Sequence, residues 1–213
     1  MSERVTFAWE GSTVSGAWHH PDRGKTYLVL AHGAGGTMDT PSMVAYADAL
    51  AARGIGVVRF NLPYAEAGKK SPGKQATNEQ CWRDVAVQVR AKASALLLGG
   101  RSYGGRLASH IVADGFEAAG LVFLAYPLHP PGKHEQLRDE HLARITPPML
   151  FLQGTRDAFA RRDLLDATIK RLRGATLHAI EGGDHSHRVK GRPMADVVDE
   201  MAEATVRWWK AVG

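Results

Sequence analysis

The sequence contains a single cysteine, Cys81, among its 213 residues. One thiol cannot form an internal disulfide. Cys81 lies in the helix-like stretch 78–85 without a base motif beside it, a pattern typical of a buried structural thiol. A lone cysteine suits a reducing compartment, so the expected location is cytoplasmic.

Long apolar runs are also missing. No segment approaches the roughly 20 consecutive apolar residues of a membrane-spanning helix. The first residues, 1–7, alternate polar and apolar side chains, whereas a secretory signal has a basic start followed by an apolar core. We therefore expect neither a membrane segment nor a signal peptide.

Features of nucleotide and nucleic-acid binding are scarce. Neither a Gly-x-x-x-x-Gly-Lys-Ser/Thr nor a Gly-x-Gly-x-x-Gly pattern occurs, and no cofactor is expected. The net charge is +5, but the basic residues form only short clusters at 69–70, 161–162 and 170–173, without interleaved aromatic residues. Such clusters are typical of solvated helix faces, so we expect no nucleic-acid partner.

Predicted strands and helices alternate along most of the chain. An antiparallel hairpin of 5–9 and 14–18 comes first, followed by strands at 27–31, 55–60, 95–98, 121–125, 149–152 and 176–180. Helices are predicted at about 42–53, 78–92, 103–113, 135–144, 161–172 and 195–210. This order predicts an α/β fold over residues 1–213 as a single domain, with a mostly parallel sheet and helices on both faces.

A glycine-rich turn presents a serine between one predicted strand and the next helix. Residues 99–105 read Gly-Gly-Arg-Ser-Tyr-Gly-Gly, with Ser102 at the apex. Gly100 and Gly104 stand two residues either side of it, where a Cβ would obstruct a tight turn. A Gly-x-Ser-x-Gly string alone is a weak signal, so its interpretation as a nucleophile depends on the residues around it.

An acid and a base each follow a later strand. Asp157 comes after the strand 149–152 and a Gly-Thr-Arg turn, and His185 comes after the strand 176–180 and a Gly-Gly-Asp turn. A serine hydroxyl needs such a base, and the base needs an acid to fix its tautomer. His187 and Asp163 are the reserve candidates for base and acid. Residues 184–187 alone cannot close a tetrahedral set of metal ligands, so no metal is expected.

An oxyanion hole requires two backbone N–H groups. Tyr103, directly after the serine, supplies the first candidate. The loop 32–36, His-Gly-Ala-Gly-Gly, follows the strand 27–31 and supplies the second, with Ala34 as the first choice and Gly35 as the next.

Together these motifs resemble the α/β-hydrolase superfamily, and within it the small dienelactone-hydrolase-like group. The matching stretches run in the expected order over nearly the whole chain: 32–36, 59–64, 99–106, 126–132, 153–157 and 182–186. The resemblance implies a Ser-Asp-His triad in an eight-stranded sheet with an antiparallel second strand. One departure is His187, where relatives commonly carry an aromatic residue. The stretch 126–148 is too short for a cap domain.

The expected function is hydrolysis of a carboxylic ester, thioester or lactone of a small-molecule acyl substrate through an acyl-enzyme on Ser102. A serine peptidase or amidase on the same fold remains an alternative, as does a non-catalytic interaction module. Candidate pocket residues are Gly35, Tyr64, His129 and Lys133. With the lysines at 69, 70 and 74, His129 and Lys133 suggest a preference for anionic substrates.

Overall fold

The computed structural model describes residues 2–213. Its strands are β1 (Glu3–Trp9), β2 (Ser12–His19), β3 (Thr26–Ala31), β4 (Gly56–Phe60), β5 (Ala95–Arg101), β6 (Gly120–Leu124), β7 (Met149–Gly154) and β8 (Ala175–Ile180). Its helices are α1 (Pro41–Ala51), α2 (Pro63–Glu66), α3 (Gln75–Arg90), α4 (Tyr103–Ala113), α5 (Arg162–Arg171) and α6 (Met194–Val212), with a 3₁₀ helix at Glu140–Arg144.

The eight strands form one sheet in the order β1-β2-β4-β3-β5-β6-β7-β8. β2 is antiparallel to both β1 and β4, and every pairing from β4 to β8 is parallel. The strands β4, β6 and β7 are buried along their whole length, as expected where helices cover both faces. The predicted eight-stranded sheet with an antiparallel second strand is confirmed.

Helices cover the sheet on two sides. α1 and α6 pack together over one face, where the Tyr46 hydroxyl lies 2.7 Å from the Thr205 hydroxyl. α3 and α4 pack over the other face, and Cys81 of α3 is fully buried there. Burial raises the pKa of the Cys81 thiol to about 12, which agrees with the predicted structural role.

The predicted helix at 135–144 is wrong over most of its length. Only Glu140–Arg144 is helical, as a 3₁₀ turn, and the residues before it form a loop. Backbone contacts tie this loop down instead. The Arg138 N–H donates to the Leu128 carbonyl at 2.8 Å, and the Tyr126 hydroxyl donates to the Arg138 carbonyl at 2.7 Å. These tertiary hydrogen bonds override the helical pattern of the segment. No other helix lies between β6 and β7, which agrees with the absence of a cap domain.

The segment 61–77, between the predicted strand 55–60 and the predicted helix 78–92, contains a short helix and the start of a longer one. The short helix α2 starts at Pro63, and α3 begins at Gln75, three residues before the predicted start at Asn78. The Asn78 side chain donates to the Pro72 and Lys74 carbonyls at 2.7 and 3.1 Å, so it holds the entry to α3.

No helix among residues 2–213 has the length and apolar character needed to cross a lipid bilayer.

Candidate active site

Ser102 lies in a strained turn between β5 and α4. Its φ is +49°, in the left-handed region that residues other than glycine rarely adopt because the backbone is strained there. Two glycines allow this turn to press against β3. A Cβ on Gly100 would lie 2.4 Å from the Gly104 carbonyl carbon, and one on Gly104 would lie 2.4 Å from the Ala31 carbonyl oxygen. The turn therefore depends on the absence of both side chains, as its sequence indicates.

Ser102, His185 and Asp157 form a continuous line of hydrogen bonds. His185 Nε2 lies 2.9 Å from Ser102 Oγ. On the other side of the ring, His185 Nδ1 lies 2.9 and 2.8 Å from the two carboxylate oxygens of Asp157. With Nδ1–H donating to the carboxylate, the Nε2 lone pair faces the serine hydroxyl. The structure thus brings together three residues that are 28 to 83 positions apart in the chain.

The loops after β7 and β8 meet because glycine allows their backbones to touch. A Cβ on Gly154, the last residue of β7, would lie 2.2 Å from the Gly183 carbonyl oxygen. The Arg156 N–H donates to the same Gly183 carbonyl at 2.8 Å. This close approach sets Asp157 of the first loop against His185 of the second.

Two further residues hold the acid and the base, and sequence reasoning missed both. Gln153 Nε2 donates to Asp157 Oδ2 at 2.5 Å, and the Phe159 N–H donates to Asp157 Oδ1 at 2.8 Å. The Phe159 ring also stacks on the His185 ring, with centroids 4.1 Å apart and planes at 28°. The Asp157 side chain is fully buried, so these donors replace the water that would otherwise solvate its charge.

The reserve candidates occupy other positions. His187 is buried, its Nε2–H donates to the Leu152 carbonyl at 3.0 Å, and burial lowers its pKa to about 4. Asp163 pairs with Arg161 on the exposed surface, at 2.7 Å. Neither side chain takes part in the hydrogen-bond line through Ser102. Among residues 2–213, no three histidine, cysteine or acidic side chains are grouped closely enough to hold a metal ion.

The loop after β3 lies next to the serine turn. A Cβ on Gly33 would lie 3.5 Å from Ser102 Cβ, and Ala34 and Gly35 follow at exposed positions. The buried His32 side chain holds this loop in place. Its Nδ1–H donates to the Gly33 carbonyl at 2.9 Å, and its Nε2 accepts from the Leu62 N–H at 3.1 Å. Burial lowers the pKa of His32, which favours this neutral form.

Tyr64 supports the same loop from within the protein. Its side chain is buried, and its hydroxyl donates to the Gly33 carbonyl at 3.2 Å. Burial raises the pKa of Tyr64 to about 12, so the hydroxyl keeps its proton. The sequence predicts Tyr64 as a pocket residue. In the structure its side chain is buried instead, and its hydroxyl contacts the Gly33 backbone, next to Ala34.

Tyr103 is the first residue of α4, so its backbone N–H has no partner within the helix. Its hydroxyl accepts a hydrogen bond from Asn78 Nδ2 at 3.2 Å, which links the start of α4 to α3. The two expected oxyanion donors, at Ala34 and Tyr103, therefore lie on segments that flank Ser102.

The predicted role of His129 at the mouth of the site does not agree with its position. The side chain is fully buried, Nδ1–H donates to the Pro130 carbonyl at 2.9 Å, and Nε2 accepts from the Arg161 N–H at 2.9 Å. Both ring nitrogens are thus engaged by backbone groups, and neither is free to contact a ligand. Lys133 is exposed on the adjoining turn, where its N–H donates to the Pro130 carbonyl at 3.1 Å.

Comparison with known proteins agrees with this geometry. Residues 24–211 match the family described as alpha/beta hydrolase domain. The chain belongs to this family. Its sheet order, with β2 antiparallel and a serine turn after β5, is the α/β-hydrolase fold.

Similar solved structures include several α/β-hydrolases. An α/β serine hydrolase without a lid from Xanthomonas campestris has 23% identity and a TM-score of 0.76, with 97% of this chain and 94% of that chain covered. A serine hydrolase homologue from Coxiella burnetii has 20% identity and a TM-score of 0.75, with 96% of each chain covered. A dienelactone hydrolase from Anabaena variabilis has 15% identity and a TM-score of 0.79, with 100% and 98% covered. The chain is similar in fold to these hydrolases, which confirms the expected resemblance.

Proposed function

We propose that this α/β-hydrolase cleaves a carboxylic ester, thioester or lactone through an acyl-enzyme on Ser102. The observation that carries the proposal is the line of hydrogen bonds from Ser102 Oγ through His185 to Asp157, at 2.9 and 2.8 Å. A nucleophile, a base within reach of its proton and an acid that orients the base are the requirements of covalent acyl transfer.

In the proposed reaction, His185 Nε2 takes the Ser102 proton as the serine oxygen attacks the substrate carbonyl. Asp157 stays ionised and stabilises the imidazolium that forms. His185 then returns the proton to the leaving group, which completes the acyl-enzyme. A water molecule, deprotonated by His185, attacks the acyl carbon and releases the acid and the serine hydroxyl.

The backbone N–H groups of Ala34 and Tyr103 would hold the oxyanion of the tetrahedral intermediate. The support for these donors is their placement: Tyr103 begins α4 next to Ser102, and Ala34 is in the loop whose Gly33 approaches Ser102 Cβ. Donors fixed before the reaction stabilise the developing charge without reorganisation. The hydrogen bonds of Tyr64 and His32 to Gly33 provide that rigidity.

Ester hydrolysis by Ser102→Ala tests the proposal. We expect the variant to lose about 10⁴-fold or more of kcat on p-nitrophenyl acetate, because the nucleophile of a triad acts as a unit with its base. The variant keeps its fold, since Ser102 Oγ contributes only the hydrogen bond to His185. Unchanged turnover by a folded Ser102→Ala protein would contradict the assignment.

A panel of matched acetyl esters, thioesters and anilides then defines the bond that is cleaved. Faster turnover of the ester and thioester supports the proposal, whereas preferential cleavage of the anilide would identify an amidase or peptidase. Absence of turnover on every member, by correctly folded protein, would favour an interaction module instead.

A further inference from the structure

A cavity lies beside the candidate active site. It has a volume of about 410 Å³ and contains none of Ser102, His185 and Asp157 in its lining. Its wall comes from the start of α1, the end of β5, the loop after β8 and the start of α6; the lining residues are Thr40, Pro41, Ser42, Arg101, Ser186, Arg188 and Met194. The lining includes two arginines and three residues with a hydroxyl group, and it contains no acidic residue.

Arg101 is the central cation of this cavity. Its Nη2 donates to the His185 carbonyl at 3.2 Å and to Ser186 Oγ at 3.0 Å, both of which are neutral acceptors. Burial lowers the pKa of Arg101, and the nearby carboxylates of Asp157 and Asp184 offset only part of this effect. Among residues 2–213, Arg101 forms no ion pair with a carboxylate, whereas the buried Arg59 pairs with Asp39. A half-buried cation without a carboxylate in direct contact is the exception in folded proteins.

Arg188 adds a second positive charge at the same place. It is exposed, lacks an ion pair within the described part of the chain, and lies near enough to Arg101 to lower the pKa of that guanidinium. The carboxylate in the same loop, Asp184, accepts the Ser186 and Arg188 backbone N–H groups at 2.7 and 2.9 Å. That contact holds the loop, and Arg188 is among the residues that line the cavity.

Two helices begin at this cavity. α1 starts at Pro41 and α6 at Met194, so the positive ends of both helix dipoles meet there. Neither N-cap residue makes a side-chain capping bond. α1 begins with Pro41, which has no N–H, and the backbone hydrogen bonds of the two helices start at the Met43 and Asp196 N–H groups, so the Ser42 N–H precedes the first of them. Ser42 contributes both its hydroxyl and this N–H.

We propose that this cavity binds a small oxyanion of the phosphate type, held by Arg101, Arg188, Ser42 and Ser186. A pair of guanidinium groups with hydroxyl and helix-terminal N–H donors matches the oxygens of such an anion. The ligand is either free inorganic phosphate or the phosphate end of a small organic molecule. Binding does not depend on the reactivity of Ser102, so the site is distinct from the proposed hydrolysis.

Titration with inorganic phosphate tests this site. The folded protein is titrated at constant ionic strength, with sodium chloride as the reference salt, by calorimetry and by amide NMR. We expect phosphate-specific heat and saturable shifts at the Ser42 and Ser186 amides. Absence of both, or equal shifts with chloride, would overturn the proposal.

Variants locate the binding. Arg188→Ala removes one guanidinium from an exposed position and is expected to weaken phosphate binding about tenfold or more, as for the loss of a charge-assisted hydrogen bond. Arg173→Ala removes an equal charge from an exposed position outside the cavity, so its affinity should match that of the wild type. The assigned site would be contradicted if Arg188→Ala bound phosphate as tightly as the wild type, or if Arg173→Ala lost as much phosphate affinity as Arg188→Ala.

Two further measurements complete the test. The first distinguishes free phosphate from an organic phosphate, and the second distinguishes this binding site from the proposed hydrolytic centre. Glycerol phosphate binding more tightly than inorganic phosphate identifies an organic ligand, and equal affinity identifies the free ion. Ser102→Ala should bind phosphate as the wild type does, even though it lacks hydrolytic activity. Loss of phosphate binding in that variant would instead assign the anion to the hydrolytic centre and contradict a separate site.

Discussion

At the scale of single residues, the serine turn requires glycine at position 104 because a side chain there would clash with neighbouring backbone. A Cβ on Gly104 would lie 2.4 Å from the Ala31 carbonyl oxygen and 2.6 Å from that of His32, and both contacts are with backbone. Gly104→Ala must therefore displace β3 or the loop after it. We expect the free energy of unfolding to fall by more than about 4 kcal/mol, the range reserved for strain or broken packing in a core.

Gly68→Ala is the matched control for this variant. Gly68 has a φ of +70°, and a Cβ added there would meet no other atom within 4 Å, so its substitution adds only backbone strain. That strain costs about 1 kcal/mol. Chemical denaturation of both variants measures the difference. Similar losses of stability would show that the contact with β3 is not the reason for glycine at position 104.

The sequence indicated some residues of the site and not others because the signals differ in range. Ser102, Asp157 and His185 each follow an apolar strand and a glycine turn, a pattern readable within about ten residues. Phe159 acts through contact with the ring of His185, 26 positions away, and no local sequence pattern indicates it. The sequence predicts His129 as a pocket residue, but its ring is buried and accepts a hydrogen bond from the Arg161 N–H, a partner 32 positions away.

At the scale of structural elements, the loop between β7 and α5 positions the base. Its Phe159 ring lies against the His185 ring at 4.1 Å, and its backbone holds Asp157. We expect Phe159→Ala to lower kcat about tenfold with little change in KM, because the imidazole gains freedom at the moment of proton transfer.

Phe159→Tyr is the conservative control, since it keeps the aromatic ring and the backbone donor. This variant should retain a kcat near that of the wild type. Steady-state kinetics on one ester separates kcat from KM for both variants. An unchanged kcat in Phe159→Ala, or an equal loss in Phe159→Tyr, would contradict a positioning role for the ring.

Long, strongly patterned elements were predictable, and short tertiary ones were not. The apolar strands from β3 to β8 and the helices α1, α3, α4, α5 and α6 appear near their predicted places. The four-residue helix α2 and the 3₁₀ turn at Glu140–Arg144 are too short for periodicity to define. The loop before that turn follows its hydrogen bonds to Leu128 and Tyr126 rather than its own propensity.

At the scale of the whole molecule, a buried histidine makes stability depend on pH. His187 is neutral in the fold, with a pKa lowered to about 4, while an unfolded histidine titrates near 6.5. The unfolded chain therefore binds this proton first as the pH falls. The contribution of His187 to the free energy of unfolding is therefore complete above about pH 6.5 and is lost as the pH falls towards 4. This one residue accounts for a loss of up to about 3 kcal/mol.

His187→Asn should reduce this acid dependence. Asparagine tolerates the φ of +60° at this position and can still donate to a carbonyl, but it does not titrate. Urea unfolding of the wild type and the variant between pH 7 and pH 4 measures the two slopes. Parallel slopes would show that protonation of His187 does not contribute to acid unfolding.

The most direct test of the proposed function is covalent labelling by a fluorophosphonate, followed by intact-protein and peptide mass spectrometry. We expect one adduct per chain, on Ser102, formed rapidly by the wild type, much more slowly by His185→Ala, and not at all by Ser102→Ala. Labelling at another residue, or wild-type protein that stays unlabelled while correctly folded, would contradict a nucleophilic Ser102 activated by His185.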